Sequence, residues 1–325
     1  MNKIIFITGH RKSGTTLMLS LFDNHKDVIT FPLDLSFLYA FFPYYRNKNF
    51  SSQVNRIKQI FNKKFNSNIF NQNIGWDNSK KKKFIENFLI EFSKLKKVNR
   101  LNLTMLFINY WLKFSKSKKK IIVIKETSQL QFYYSLLKNI PNCYVINMIR
   151  DPRDNFAALK SGLDKYYENI GEDYLTLINS FIFKIRLEAN IFEFHKKNQT
   201  NKLIFVKYES LVNNIKRTQK RVSKFLDIKY SNSLLMPSIN GNLLSGNSFD
   251  NKNTSVISKR NVNNWKNRLT EKEIKIINFL LKKEIQIYKY PFKYKFNDTK
   301  FIEDFYDSTN LKFFFKDSFK KNIYK

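Results

Sequence analysis

The sequence predicts an α/β protein of P-loop type: a five-stranded parallel sheet flanked by helices, with a helical insertion. Three observations lead there. Five short, largely β-branched runs alternate with amphipathic helical patterns, as in a parallel sheet covered on both faces. The first of these runs ends in a glycine-bounded loop that opens a helix. The chain, 325 residues with 33 Phe and 17 Tyr, has enough apolar bulk to fill the core of one large domain or two small ones.

Ile4, Ile5, Phe6 and Ile7 read as a buried strand that stops at Gly9. A basic turn with Arg11 and Lys12 follows, and Gly14, Thr15 and Thr16 open a helix carrying Leu17, Met18, Leu21 and Phe22. A strand feeding a glycine loop and a helix start gathers backbone N–H groups into an anion cradle. The spacing Gly9-x4-Gly14 is that of a phosphate-binding loop. The residue after the second glycine, lysine in a nucleotide triphosphatase, is here Thr15, and the lysine stands two residues before Gly14, at Lys12. The plainer alternative is a tight strand-to-helix turn in which Thr15 and Thr16 only cap the helix.

Val28–Phe31 is the second expected strand, followed by a helix over 34–45. Residues 46–118 hold one glycine (Gly75) and no proline. They read as amphipathic helices at 52–65, 81–97 and 102–115, a helical insertion rather than a separate domain. The third strand is Ile121–Lys125, before a helix at 128–139. The fourth, Tyr144–Ile149, runs into Arg150-Asp151-Pro152-Arg153-Asp154. Asp151 suits the N-cap and Pro152 the first turn of a helix over 152–161. Arg150 is thereby left at the strand's C-terminal end, where parallel sheets bind ligands. A helix at 172–198 and the strand Leu203–Tyr208 complete the sheet. Residues 229–265 read as a long functional loop, and 271–287 as a helix. The domain is drawn over 1–295, with a lysine-rich, aromatic tail at 296–325.

The formal charge of +33 invites a nucleic-acid reading. Yet the lysines are spread along the chain, with local runs at Lys80–Lys83 and Lys118–Lys120, and Lys, Asn, Ile and Phe are all heavily used. An AT-rich genome produces that bias without selection for binding. The field equally suits an anionic cofactor or a polyanionic acceptor, so nucleic acid is not expected as the primary partner. The single Cys143 excludes a disulfide framework and a cysteine zinc site and fits a reducing compartment. No acidic cluster suggests a metal, and no apolar run reaches the roughly 18 residues of a membrane span. A first strand starting at Lys3 leaves no room for a targeting segment, so the expected location is cytoplasmic.

Lys12-Ser13-Gly14-Thr15-Thr16 resembles the 5′-phosphosulfate loop of sulfotransferases that use 3′-phosphoadenosine 5′-phosphosulfate (PAPS). Arg150-Asp151-Pro152-Arg153 resembles the 3′-phosphate motif of the same family. Val206-Lys207-Tyr208-Glu209-Ser210-Leu211 is similar to its Tyr-Glu-x-Leu segment, with Tyr208 beside the nucleotide. Gly246-Asn247-Ser248-Phe249 and Lys259-Arg260 to Trp265 resemble the loop that closes over the adenosine and 3′-phosphate. Lys125-Glu126-Thr127-Ser128 resembles a segment that supplies a second cation near the sulfate, although Lys125 could also simply end a basic surface run. The likeness covers about residues 3 to 268 and lies nearer the bacterial, protein-tyrosine and carbohydrate enzymes than the cytosolic small-molecule ones.

The resemblance implies in-line transfer of a sulfuryl group from PAPS, as co-substrate, to a hydroxyl of a glycan or other hydroxylated acceptor. A sulfuryl group carries less charge than a phosphoryl group, so no metal is implied. Lys12 would neutralise the bridging oxygen, while the amides of Ser13 to Thr16 and the two threonine hydroxyls hold the 5′-phosphate. Small-molecule relatives use a histidine near the third strand. His10, His25 and His195 lie elsewhere, which points to a carboxylate base. Asp34 is the candidate, unless it caps a helix starting at Leu35, and Glu126 is the fallback. Relatives carry a serine eight residues after the motif arginine, where this chain has Ala158. Lys259 or Arg260 is expected to make up for that serine, with Ser161 the weaker substitute. The rival readings are a P-loop kinase-like enzyme, opposed by Thr15, and a basic nucleic-acid-binding protein.

Overall fold

In a computed structural model, the described residues are 2–35, 49–65, 76–95, 99–168, 172–198, 200–244 and 257–293. The chain runs β1 (Lys3–Gly9), α1 (Thr15–Ser20), β2 (Val28–Asp34), α2 (Phe50–Phe65), α3 (Asn78–Ser93), α4 (Arg100–Ser115), β3 (Ile121–Lys125), α5 (Leu130–Asn139) and β4 (Cys143–Ile149). It continues with α6 (Pro152–Lys160), α7 (Tyr174–Asn198), β5 (Leu203–Lys207), α8 (Tyr208–Asn213) and α9 (Ile215–Leu226). A short hairpin, β6 (Ser238–Ile239) and β7 (Asn242–Leu243), precedes α10 (Trp265–Arg268), α11 (Glu271–Leu280) and α12 (Lys282–Ile287).

The first five strands form one parallel sheet in the order β2-β3-β1-β4-β5, as the alternating pattern predicts. β1 is central and its Ile5, Phe6 and Ile7 are fully buried, which is why its sequence is an unbroken apolar run rather than an alternating one. Its neighbours β3 and β4 flank its C-terminal end, the edge at which ligands of such sheets bind.

Most expected elements appear, with instructive shifts. β2 extends past Phe31 to Asp34, although Pro32 lies within it. β2 is an edge strand, and its pairing with β3 shifts register between Thr30 and Asp34. An edge with a register break tolerates a residue that cannot donate to the ladder. Asp34 therefore belongs to a strand, and Leu35 still donates its amide to the Lys125 carbonyl at 3.0 Å. The rest of the helix expected over 34–45 lies outside the described residues. β5 ends at Lys207, so Tyr208 starts a helix. The helix expected over 271–287 is two, divided at Leu281.

The insertion helices α3 and α4 pack against the edge strand. Phe31 of β2 meets Phe107 at 4.8 Å and Trp111 at 5.2 Å between ring centroids. Phe84 and Phe88, both fully buried, extend this aromatic layer. Such edge-to-face pairs contribute roughly 0.5–1.5 kcal/mol each beyond their burial.

Contacts divide the chain into two compact units, Met1–Arg150 with Phe194–Lys259, and Asp151–Glu193 with Arg260–Lys325. No helix among the described residues is long and apolar enough to cross a membrane.

Candidate active site

The loop after β1 is built by backbone conformations that its sequence permits. At Gly9 (φ +136°) a side chain would strike the Met148 carbonyl oxygen at 2.3 Å, so only glycine fits. Lys12 is left-handed at φ 66°, as is Gly14 at φ 97°. The Ser13 amide closes the turn on the His10 carbonyl at 3.1 Å, and His10 Nδ1 donates to the Arg11 carbonyl at 3.0 Å. Ser13 is buried, and its Oγ has no hydrogen-bond partner among the described residues. A buried hydroxyl without a partner is costly. α1 spans only six residues, so an anion at this loop would meet loop amides and cations more than a helix dipole.

Two distant strand ends clasp this loop. A Cβ on Gly14 would sit 2.6 Å from Tyr208 Cδ2, which means that the tyrosine ring lies directly against the glycine. The Arg150 guanidinium stacks over the same ring at 4.6 Å from its centroid. Arg150 Nη1 donates to the Lys12 carbonyl at 2.8 Å. Lys12, Gly14, Arg150 and Tyr208, expected around one nucleotide, are thus brought together from the ends of β1, β4 and β5.

A second cluster forms at the ends of β2 and β3, where Asp34 and Lys125 are register partners. Lys125 Nζ donates to Asp34 Oδ2 at 2.8 Å, with both side chains at most 15% exposed. The Thr127 amide approaches both carboxylate oxygens at 3.3 Å, and its hydroxyl donates to Oδ2. The expected base and the expected second cation are therefore an ion pair. The alternative that Asp34 caps a helix starting at Leu35 falls on residues 36–48, which lie outside the described residues. Glu126 is buried, and its amide donates to the Ile7 carbonyl at 3.0 Å.

Of the other histidines, His25 accepts from the Asp27 amide at Nδ1 (3.2 Å) and donates from Nε2 to the Lys229 carbonyl at 2.8 Å. Both ring nitrogens are thus engaged with the backbone, which is a structural role. His195 packs near Phe205, and burial holds its pKa below the ordinary value.

In the second unit, Asp151 caps α6 and grips Arg153 through Nε at 2.9 Å and Nη2 at 2.6 Å. Arg153 stacks on Trp265 at 4.6 Å and donates to the Pro291 carbonyl at 2.9 Å. Asp154 accepts from the amides of Asn263 at 2.6 Å and Trp265 at 2.8 Å. Arg153 and Asp154 hold the turn after Arg260, a role that sequence reasoning missed. The signal was present in the second half of the Arg-Asp-Pro-Arg-Asp run, read there only as capping chemistry. Ser161 follows α6 and donates its hydroxyl to the Ala158 carbonyl at 3.1 Å. Lys160 is ion-paired with Glu273 at 2.8 Å. Lys259, in the first unit, and Arg260, in the second, are exposed, and Gly246–Phe249 lies outside the described residues. Among the described residues no group of three or more His, Cys, Asp or Glu gathers as a metal site.

A glycine-bounded loop at the end of the central strand of a parallel α/β sheet thus lies next to strand ends that carry a paired lysine and carboxylate. Residues 5–232, more than half of the chain, match the sulfotransferase family, and the chain belongs to that family. Two solved structures share the fold. The sulfotransferase domain of the Synechococcus PCC 7002 olefin synthase is 13% identical (TM-score 0.57), covering 90% of this chain and 96% of that one. The sulfotransferase domain of the curacin biosynthetic pathway is 15% identical (TM-score 0.58), covering 90% of this chain and 99% of that one. No curated protein sequence matches.

Proposed function

We propose that this sulfotransferase moves a sulfuryl group from PAPS to a hydroxyl of a glycan or other hydroxylated acceptor, without a metal ion. The observation that carries this reading is the clasp in which Arg150 bonds the Lys12 carbonyl and stacks on Tyr208, itself pressed against Gly14. An anhydride donor with phosphates at both ends of its ribose needs cations and amides on both sides of one loop, and this arrangement supports that. Residues 1–295, with the insertion at 46–118, form the catalytic domain in this reading. The buried, unpaired Cys143 suits a reducing compartment, and we place the reaction in the cytoplasm.

In the transfer, the acceptor oxygen forms a bond to sulfur as the bond from sulfur to the bridging oxygen breaks. Lys12 meets the charge that develops on that bridging oxygen, and the amides from Ser13 to Thr16 hold the 5′-phosphate. Arg11 strengthens the local field. Lys125 attracts the sulfuryl oxygens, and the Asp34 carboxylate takes the hydroxyl proton. Arg150 serves the 3′-phosphate, with Lys259 of the same unit as a second cation.

The test is transfer of radiolabelled sulfate from PAPS to a panel of carbohydrate and phenolic acceptors. The parent should label at least one of them in the presence of a chelator. Lys12→Ala should fold normally and lose about a hundredfold or more in turnover, as expected for one charged contact to a transition-state anion. Turnover near the parental rate would remove Lys12 from the chemistry.

A further inference from the structure

The Asp34 carboxylate is held by donors of two different kinds. Lys125 is a point charge on a flexible four-carbon stem, free to change partners. Thr127 is β-branched and stiff at χ1, and it contributes a backbone amide as well as its hydroxyl. The turn that carries it is fastened to β1 on both sides. Glu126 donates its amide to the Ile7 carbonyl at 3.0 Å, and Ser128, left-handed at φ 59°, donates to the Gly9 carbonyl at 2.9 Å. The next amide, that of Gln129, donates to Thr8 Oγ1 at 3.1 Å. Thr8 and Gly9 are the residues from which the anion-binding loop springs.

The same lysine is asked to do two things. It pairs with Asp34 here, yet in the proposed reaction it is drawn to the sulfuryl group. If the carboxylate followed it, the acceptor hydroxyl would be without its base at the moment of transfer. We propose that Thr127 is a positioning residue, whose anchored amide and hydroxyl keep Asp34 in place when Lys125 changes partner from the carboxylate to the sulfuryl group. The exchange also times the base, since the carboxylate sheds its cationic partner only once a donor is bound. This inference rests on the proposed reaction and adds a residue that neither the motifs nor the family likeness assigns.

Two experiments test it together. In crystal structures, Lys125→Met should leave the Asp34 carboxylate on Thr127, whereas Lys125→Met/Thr127→Val, which keeps only the amide of residue 127 from these donors, should shift it from its parental position. A carboxylate displaced in Lys125→Met alone overturns the proposal. In kinetics with an otherwise intact enzyme, Thr127→Val should lower kcat by about tenfold to a hundredfold, the range for removing a hydrogen bond to a charged group. The KM for PAPS and the melting temperature should stay near the parental values, and Thr127→Ser should restore most of kcat. Thr127→Ala serves if the valine variant does not fold. Parental kcat in both variants, or a Thr127→Ser enzyme as slow as Thr127→Val at parental stability, also overturns it. A parent that moves no label from PAPS refutes the proposed function itself and removes the positioning role with it. An active parent whose Asp34→Asn variant keeps its rate refutes only the base and its holder.

Discussion

Gly14 shows how much can rest on one missing side chain. Its φ of 97° and the Tyr208 ring, 2.6 Å from where a Cβ would stand, leave no room for alanine. Gly14→Ala must push the loop off Tyr208 and with it disturb the stack on Arg150. It should weaken binding of the 3′-phosphorylated nucleotide by about tenfold or more while leaving the sheet intact, since strain at such sites is worth roughly 1–3 kcal/mol. Calorimetric titration checks this, and parental affinity would mean that the loop adapts freely. The glycine-bounded turn was legible in the sequence because loop conformation is local. Asp34 and Lys125 were each legible as candidates, but their pairing was not. They are 91 positions apart, and only the adjacency of β2 and β3 makes them neighbours. Thr127 was invisible for the same reason, being one ordinary threonine in a segment chosen for its lysine.

Elements were legible where their periodicity was strong. The five strands follow from runs such as Ile4 to Ile7 and Ile121 to Lys125, and α6 from its Asp151 cap and Pro152. Boundaries set by tertiary contacts escaped: β2 runs through Pro32 because it lies at the sheet edge, and Leu281 divides α11 from α12. Within the second unit, Glu273 ties three helices together. It completes a capping box with Thr270 on α11, pairs with Lys160 of α6 at 2.8 Å, and accepts from the Tyr174 hydroxyl of α7 at 3.2 Å. Burial works to raise the Glu273 pKa, but the hydrogen bond and charge of Lys160, with the donors of Thr270, outweigh it and hold it below the ordinary 4.5. A carboxyl depressed in the folded state stabilises above its unfolded pKa, and that stabilisation fades as pH falls through the folded value. Glu273→Gln should therefore cost about 1–3 kcal/mol at pH 7, with the gap to the parent closing as pH falls below the ordinary 4.5. Thermal melts across that range measure it, and a gap that did not change with pH would remove the ion pair from the account.

Across the whole molecule, a net charge of +33 favours the approach of any polyanion, so attraction alone cannot identify the ligand. What distinguishes the sulfotransferase reading is selectivity: a loop without the P-loop lysine after Gly14, and an arginine at the end of β4 suited to a phosphate on the ribose. The most direct measurement is calorimetric binding of adenosine 3′,5′-bisphosphate, adenosine 5′-monophosphate and ATP with magnesium, all at physiological salt. The account predicts saturable binding of the bisphosphate, tighter than the monophosphate by about tenfold or more, the gain expected of charge-assisted hydrogen bonds to one phosphate. It also predicts that Arg150→Ala erases that preference. Equal binding of all three nucleotides, or magnesium-dependent preference for ATP, would contradict it.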